Sequence, residues 1–163
     1  MSYPEWLPDL IELNSFKGNW DSYLEHLYSV YTQNFITSKP IYNGTPVGVK
    51  RHPKEHDKDA TFWHIISEGM IENERTPDLR RCERIAWPKP IIDNHNNGIL
   101  KIWKNKRKGE TRILLWLEEA EYLVVLSERK SYTLFWTAYP VIRDHSKRKL
   151  QKEYESYNSG ESR

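Results

Sequence analysis

One cysteine, Cys82, stands in a chain of 163 residues, which excludes an intramolecular disulfide and any zinc site built on paired cysteines. A reducing cytoplasm is the expected location. No run approaches the roughly 18 apolar residues that a membrane span needs. The first residues lack a basic start and carry Glu5, Asp9 and Glu12 inside their apolar stretch, so neither a signal peptide nor a membrane partner is expected. Glycine-rich phosphate loops, a Walker sequence, a G-x-S-x-G elbow and H-E-x-x-H are missing too. No cofactor or metal is expected.

What is present suits one soluble domain spanning residues 1–163, with 37% hydrophobic and 29% charged residues and a mean hydropathy of -0.83. A chain near this length buries roughly 68–70% of its unfolded surface, enough for a core without staples. The net charge of +2 hides an asymmetry: residues 1–36 hold five acids against Lys17, a net −4, which leaves +6 for the remainder. Three stretches carry the excess, residues 75–89 at +3, 101–112 at +5 and 143–152 at +4. Basic stretches of this density are the footprint of phosphate contact, and solvated helix faces and hairpin tips share it.

Apolar periodicity predicts a core helix over residues 20–35 behind the cap Asn19. Pro40, Gly44, Pro46, Gly48 and Pro53 predict a surface loop over residues 38–59. Short helices follow over 61–68, with Asp59 or Thr61 as cap and Gly69 as terminator, and from Pro77 to about residue 85, closed by Pro88 and Pro90. Four runs rich in β-branched and aromatic residues (99–107, 111–119, 122–129 and 132–141) read as strands. Their separators are too short for parallel crossovers, so they form an antiparallel meander. A charged helix over 145–157 precedes a Ser/Gly-bearing end. The expected fold is α+β, with N-terminal helices packed on a four-stranded twisted antiparallel sheet and a C-terminal helix.

Four constellations carry chemistry. His52, His56 and His64 offer metal-ligand residue types, but Pro53 argues against the helix that would align the first two. In Phe62-Trp63-His64-Ile65-Ile66-Ser67-Glu68, a helix places His64 and Glu68 on one face, a pairing suited to proton transfer because a carboxylate fixes an imidazole's tautomer. A core-edge histidine satisfying a carbonyl fits the same spacing. In the stretch from Arg75 to Trp87, Arg80, Arg81 and Arg84 offer guanidinium forks for phosphate and Trp87 a stacking plane for a base. An intramolecular ion-pair helix fits it equally. Finally, strand alternation puts Thr137 and Tyr139 on one face of Trp136-Thr137-Ala138-Tyr139-Pro140.

In this order, TFWHIISEG, DLRRCERIAW and the closing LFWTAYPV resemble the phage-associated nucleases of the barnase, EndoU, colicin and RelE-like (BECR) superfamily. The resemblance covers residues 50–155, with residues 1–45 as a helical N-terminal addition. It implies RNA, tRNA or mRNA, bound across the concave face of the sheet. It also implies metal-independent endonucleolytic cleavage, in which the RNA's 2′-hydroxyl attacks the adjacent phosphate. His64 is then the general acid or base, Glu68 the candidate carboxylate, and Thr137 and Tyr139 the phosphate and substrate contacts. One or more of Arg80, Arg81 and Arg84 stabilise the phosphate, and the basic strand from Lys101 to Arg112 is a further backbone-binding surface. The expected role is a toxin or a phage or antiphage-defence effector with an antitoxin or other inhibitory partner, and the acidic segment 1–35 is a candidate internal cover. An inert nucleic-acid- or protein-binding phage accessory module is the alternative.

Overall fold

The computed structural model describes residues 3–69, 71 and 74–160; the Ser/Gly-bearing end lies partly outside them. Helix α1 (Trp20–Thr32) begins where the Asn19 side chain accepts a hydrogen bond from the Ser22 amide at 3.0 Å, satisfying a donor that the first turn leaves open. Tyr23, Leu27 and Tyr31 recur every four residues and are buried. The helix then widens into a π turn, Gln33–Thr37, which buries Phe35. The predicted helix is present, with its last turn of a different kind.

The predicted loop over residues 38–59 is the first correction. It contains a hairpin, β1 (Ile41–Tyr42) and β2 (Thr45–Gly48), turned at Asn43 and Gly44, both at positive φ. Asn-Gly is the strongest short hairpin signal because both residues tolerate that conformation. The prolines obscured it, yet Pro40 precedes β1 and Pro46 lies in β2 before its pairing with β8 begins at Val47, so neither interrupts the bonds between β2 and β8. Strand β2 runs parallel to β8, pairing Val47 with Thr133 and Gly48 with Leu134.

Helix α2 (Ala60–Ile66) starts after Asp59 and stops short of the predicted Glu68. Ser67–Glu68 form instead a small strand, β3, paired with β4 (Thr76–Pro77). Helix α3 (Leu79–Glu83) is capped by Asp78, which accepts from the Arg81 amide at 3.3 Å. Pro88 and Pro90 do not merely close it: Pro88 opens α4 (Pro88–Asp93), since proline's fixed φ suits the first helical position and its missing N–H costs nothing there.

The predicted meander is present as β5 (Lys101–Arg107), β6 (Glu110–Leu117), β7 (Tyr122–Glu128) and β8 (Thr133–Pro140), followed by α5 (Asp144–Asn158). With the hairpin added, the sheet has six strands in the order β1-β2-β8-β7-β6-β5, not four. Nor do all helices precede it, because β1 and β2 come before α2, α3 and α4. The fold is α+β, a curled sheet with a C-terminal helix.

Alternation along the strands divides the core. One face packs Ile113, Leu115, Leu126 and Phe135 against Leu27 of α1, Phe62 of α2 and Ile91 of α4. The other packs Trp103, Leu114, Trp116, Leu123 and Val125 against Leu150, Tyr154 and Tyr157 of α5. Residues Trp6, Leu7, Ile11 and Phe16 join the first cluster. The acidic N-terminal segment therefore packs on the first face and does not cover the basic side chains of the second, which overturns the internal cover.

Candidate functional site

The pairing of β7 with β8 slips between Val125 and Leu126: Leu126 faces Phe135 and Val125 faces Thr137, leaving Trp136 as an extra residue. This is a β-bulge, a device that re-aims side chains and often sits beside functional sites. Thr137 and Tyr139 lie opposite Val125 and Leu123, so both belong to the second face, as alternation requires.

Around the bulge, side chains from several elements meet. The guanidinium of Arg112, on β6, lies 4.3 Å from the centre of the Trp136 ring, and the imidazole of His64, on α2, lies 5.4 Å from it. Arg112 also donates to Glu110 at 2.7 Å, while its Nε is buried without a partner among the described residues. From α3, Arg81 sits 5.1 Å over the Tyr139 ring. Burial raises the Tyr139 phenol above its ordinary value; Arg81 and Arg107 oppose this and Glu153 adds to it. The phenol therefore remains protonated at neutral pH and acts as a donor. Thr137 is buried, its Oγ1 unpartnered among the described residues.

Helix α5 closes the other side through Glu153, which accepts from the Trp103 indole and the Asn105 amide, both at 2.7 Å, and lies 3.8 Å from Arg107. A carboxylate, a phenol, a hydroxyl and guanidinium groups thus share the second face, and the His64 imidazole and the Arg81 guanidinium meet them at β8 from helices that pack on the first. Such a set can bind a phosphate ester through charge and hydrogen bonds, stack a base, and move protons.

Of the residues singled out in the sequence, His64, Arg81, Thr137 and Tyr139 come together here. The others do not. The predicted helical pair of His64 and Glu68 is not formed, because α2 ends at Ile66 and Glu68 is an exposed strand residue. It remains near enough to Arg81 to favour that cation's charge. The helix stops where arginines take its carbonyls: Arg75 donates to the oxygens of His64 (2.9 Å), Gly69 (2.8 Å) and Ser67, and Arg81 donates to Ser67 at 2.7 Å.

Arg80 is exposed on α3. Arg84 stacks 5.2 Å from Trp87, pairs with Glu83 at 3.4 Å and donates to the Arg80 carbonyl. Trp87 is only 1% exposed and donates its indole N–H to the Pro8 carbonyl at 2.8 Å. It is a core residue and presents no exposed stacking plane. Lys101 pairs with Glu118 at 2.7 Å, lies over Trp116 and Tyr154, and bonds Gln151, so its charge is already met. The arginines thus divide as the ion-pair reading of that stretch allows, with Arg81 alone reaching the face.

Arg107, Arg112, Trp136 and Glu153 are the participants that sequence reasoning did not single out. Arg107 and Arg112 stood inside a basic strand and Trp136 inside the quoted LFWTAYPV, which were the available signals; nothing marked Glu153 among its helix's charges. The trio of His52, His56 and His64 does not converge: among the described residues no three His, Cys, Asp or Glu side chains group as metal ligands. Comparison of the chain with protein-family models, curated proteins and solved structures finds no match.

Proposed function

We propose that this protein binds RNA on the second face of its sheet and cleaves it without a metal ion, as a cytoplasmic toxin or phage or defence effector restrained by a partner protein. The observation that carries the reading is the convergence of His64, Arg112, Trp136, Thr137 and Tyr139 at the β8 bulge. Trp136 supplies a base-stacking surface and Arg112, with Arg107, the charge that a phosphate requires.

In the reaction, His64 takes the proton of the 2′-hydroxyl as that oxygen attacks the adjacent phosphorus. The bond from phosphorus to the 5′-oxygen breaks, and that oxygen leaves with a proton from the Tyr139 phenol. The products are a 2′,3′-cyclic phosphate and a free 5′-hydroxyl. The excess negative charge of the transition state falls to Arg112 and Arg81, for which preorganised donors are effective.

The test incubates the full chain and a His64→Ala variant with tRNA and mRNA in EDTA and analyses the product ends. Cleavage by the wild type alone, leaving cyclic phosphate, is the expected result. A second reading, RNA binding without cleavage, draws on a separate observation: Arg75 and Arg81 are already engaged by backbone carbonyls at the end of α2, leaving fewer cations for a transition state. RNA retention by wild type and His64→Ala alike, with no cleavage, selects that reading. Absence of RNA binding removes both.

A further inference from the structure

The layer packed on the first face carries a groove of about 520 Å³, lined by the N-terminal segment, the end of α1 and α4. It lies on the opposite side of the sheet from the bulge on β8. Its lining includes Trp6, Pro8 and Pro90, residues whose apolar rings suit a planar ligand. Its size falls within the roughly 300–1,000 Å³ of small-molecule sites.

Hydrogen-bonding groups stand beside these walls. Gln33 and Asn34 occupy the first two positions of the π turn and line the groove. Wide turns of this kind recur at functional sites because they displace side chains from the regular helical register. Among the described residues, neither carboxamide makes a side-chain hydrogen bond within the protein. Asp93 is anchored, one oxygen accepting from the Ile41 amide at 2.9 Å and the other pairing with Lys89 at 3.1 Å.

We infer that this groove binds a nucleoside monophosphate. The base lies against Trp6 and the prolines. Its polar edge meets the carboxamides, each of which sets a donor beside an acceptor in the pattern that a base edge presents. The ribose hydroxyls donate to the lone pairs that Asp93 keeps beyond those given to Ile41 and Lys89, and the phosphate points to solvent. A free sugar is a poorer fit, because the apolar walls would leave its hydroxyls without partners. The inference is independent of RNA cleavage on the opposite face.

Calorimetric titration of AMP, GMP, CMP and UMP into the full chain tests it. Saturable binding of at least one, with a Kd below about 1 mM, is expected. Asn34→Ala and Trp6→Ala should each weaken it by about tenfold, the loss of roughly 1.4 kcal/mol of contact, with circular dichroism unchanged. Should Trp6→Ala fail to fold, Asn34→Ala decides. Arg112→Met should leave the binding intact, and ribose 5-phosphate should not bind. The inference is overturned by the absence of saturable binding for all four nucleotides, by undiminished binding in Asn34→Ala, by loss of binding in Arg112→Met, or by ribose 5-phosphate binding as tightly as the nucleotides. Binding of a short oligoribonucleotide but of no mononucleotide also overturns it.

Discussion

Replacing Tyr31 by phenylalanine removes one oxygen from a site with no solvent to substitute for it. The Tyr31 hydroxyl donates to Asp59 at 3.0 Å, and both residues are 0% exposed. The ring would keep its contacts with Tyr28, Phe35 and Phe62, so the change isolates the hydrogen bond. A bond to a charged acceptor contributes about 1.5–3 kcal/mol, which in a chain of this size lowers Tm by about 4–8 °C, taking about 2 kcal/mol as the loss. Tyr28→Phe is the internal comparison. Its hydroxyl only accepts from the Asp59 amide, at 3.3 Å, on a half-buried ring, so it should cost at most about 1 kcal/mol. Urea melts monitored by circular dichroism give both values, with m unchanged. Burial beside Asp59 also raises the Tyr31 pKa. The wild type's stability is therefore full below the unfolded phenol's pKa and falls as pH rises above it, a fall that Tyr31→Phe reduces. A Tyr31→Phe variant within about 0.5 kcal/mol of wild type, or a larger loss in Tyr28→Phe, would refute the reasoning.

Trp87→Ala should destabilise the fold by about 3–5 kcal/mol, as truncation of a buried aromatic does. Under conditions where it is folded, it should bind RNA as the wild type does; selective loss of RNA binding in filter assays would restore Trp87 to the site. Arg112→Met should raise the Glu110 carboxyl, which the hydrogen bond from Arg112 and the charge of Arg129 hold below the usual carboxylate range. The stability linked to that lowering is present above the ordinary carboxylate pKa and lost as pH falls through the lowered one. Carboxyl NMR titration of the two proteins measures the shift, and identical curves would deny the contact. Burial pushes the Cys82 thiol up to about 12, so it should resist a thiol reagent in the native state and react once urea unfolds the chain. Rapid labelling without denaturant would contradict its burial.

Strong periodicity made much of this architecture legible. Tyr23, Leu27 and Tyr31 mark α1, and the alternating apolar runs mark the four strands of the meander, because each pattern specifies one face to bury. The hairpin at Asn43 and Gly44 was readable in principle, and its prolines masked it. The end of α2 was not readable: Gly69 stood as the natural terminator, whereas Arg75 and Arg81 reach back from later in the chain to take carbonyls before it. A long-range contact of that kind leaves no local trace. Burial of Trp87 was hidden for the same reason, since the carbonyl that receives its N–H belongs to Pro8.

The site on β8 depends on a register that alternation alone does not specify. Side chains in a strand repeat every two residues, so one inserted residue exchanges the faces of everything beyond it. Phe135 and Ala138 both enter the first core although they are three positions apart, which is achieved only because Trp136 is the extra residue. Without that bulge, Thr137 and Tyr139 would turn into the apolar first face, and Ala138 toward Arg81. With it, the phenol and the hydroxyl share the face of Arg112 and Glu153, and the indole lies near both a guanidinium and an imidazole. Deleting Trp136 therefore restores a regular ladder with Thr137 and Tyr139 still opposite Val125 and Leu123, so it removes the indole and leaves the hydroxyl and phenol on their face, whereas deleting Thr137 in its place brings Trp136 into register opposite Val125 and removes the hydroxyl.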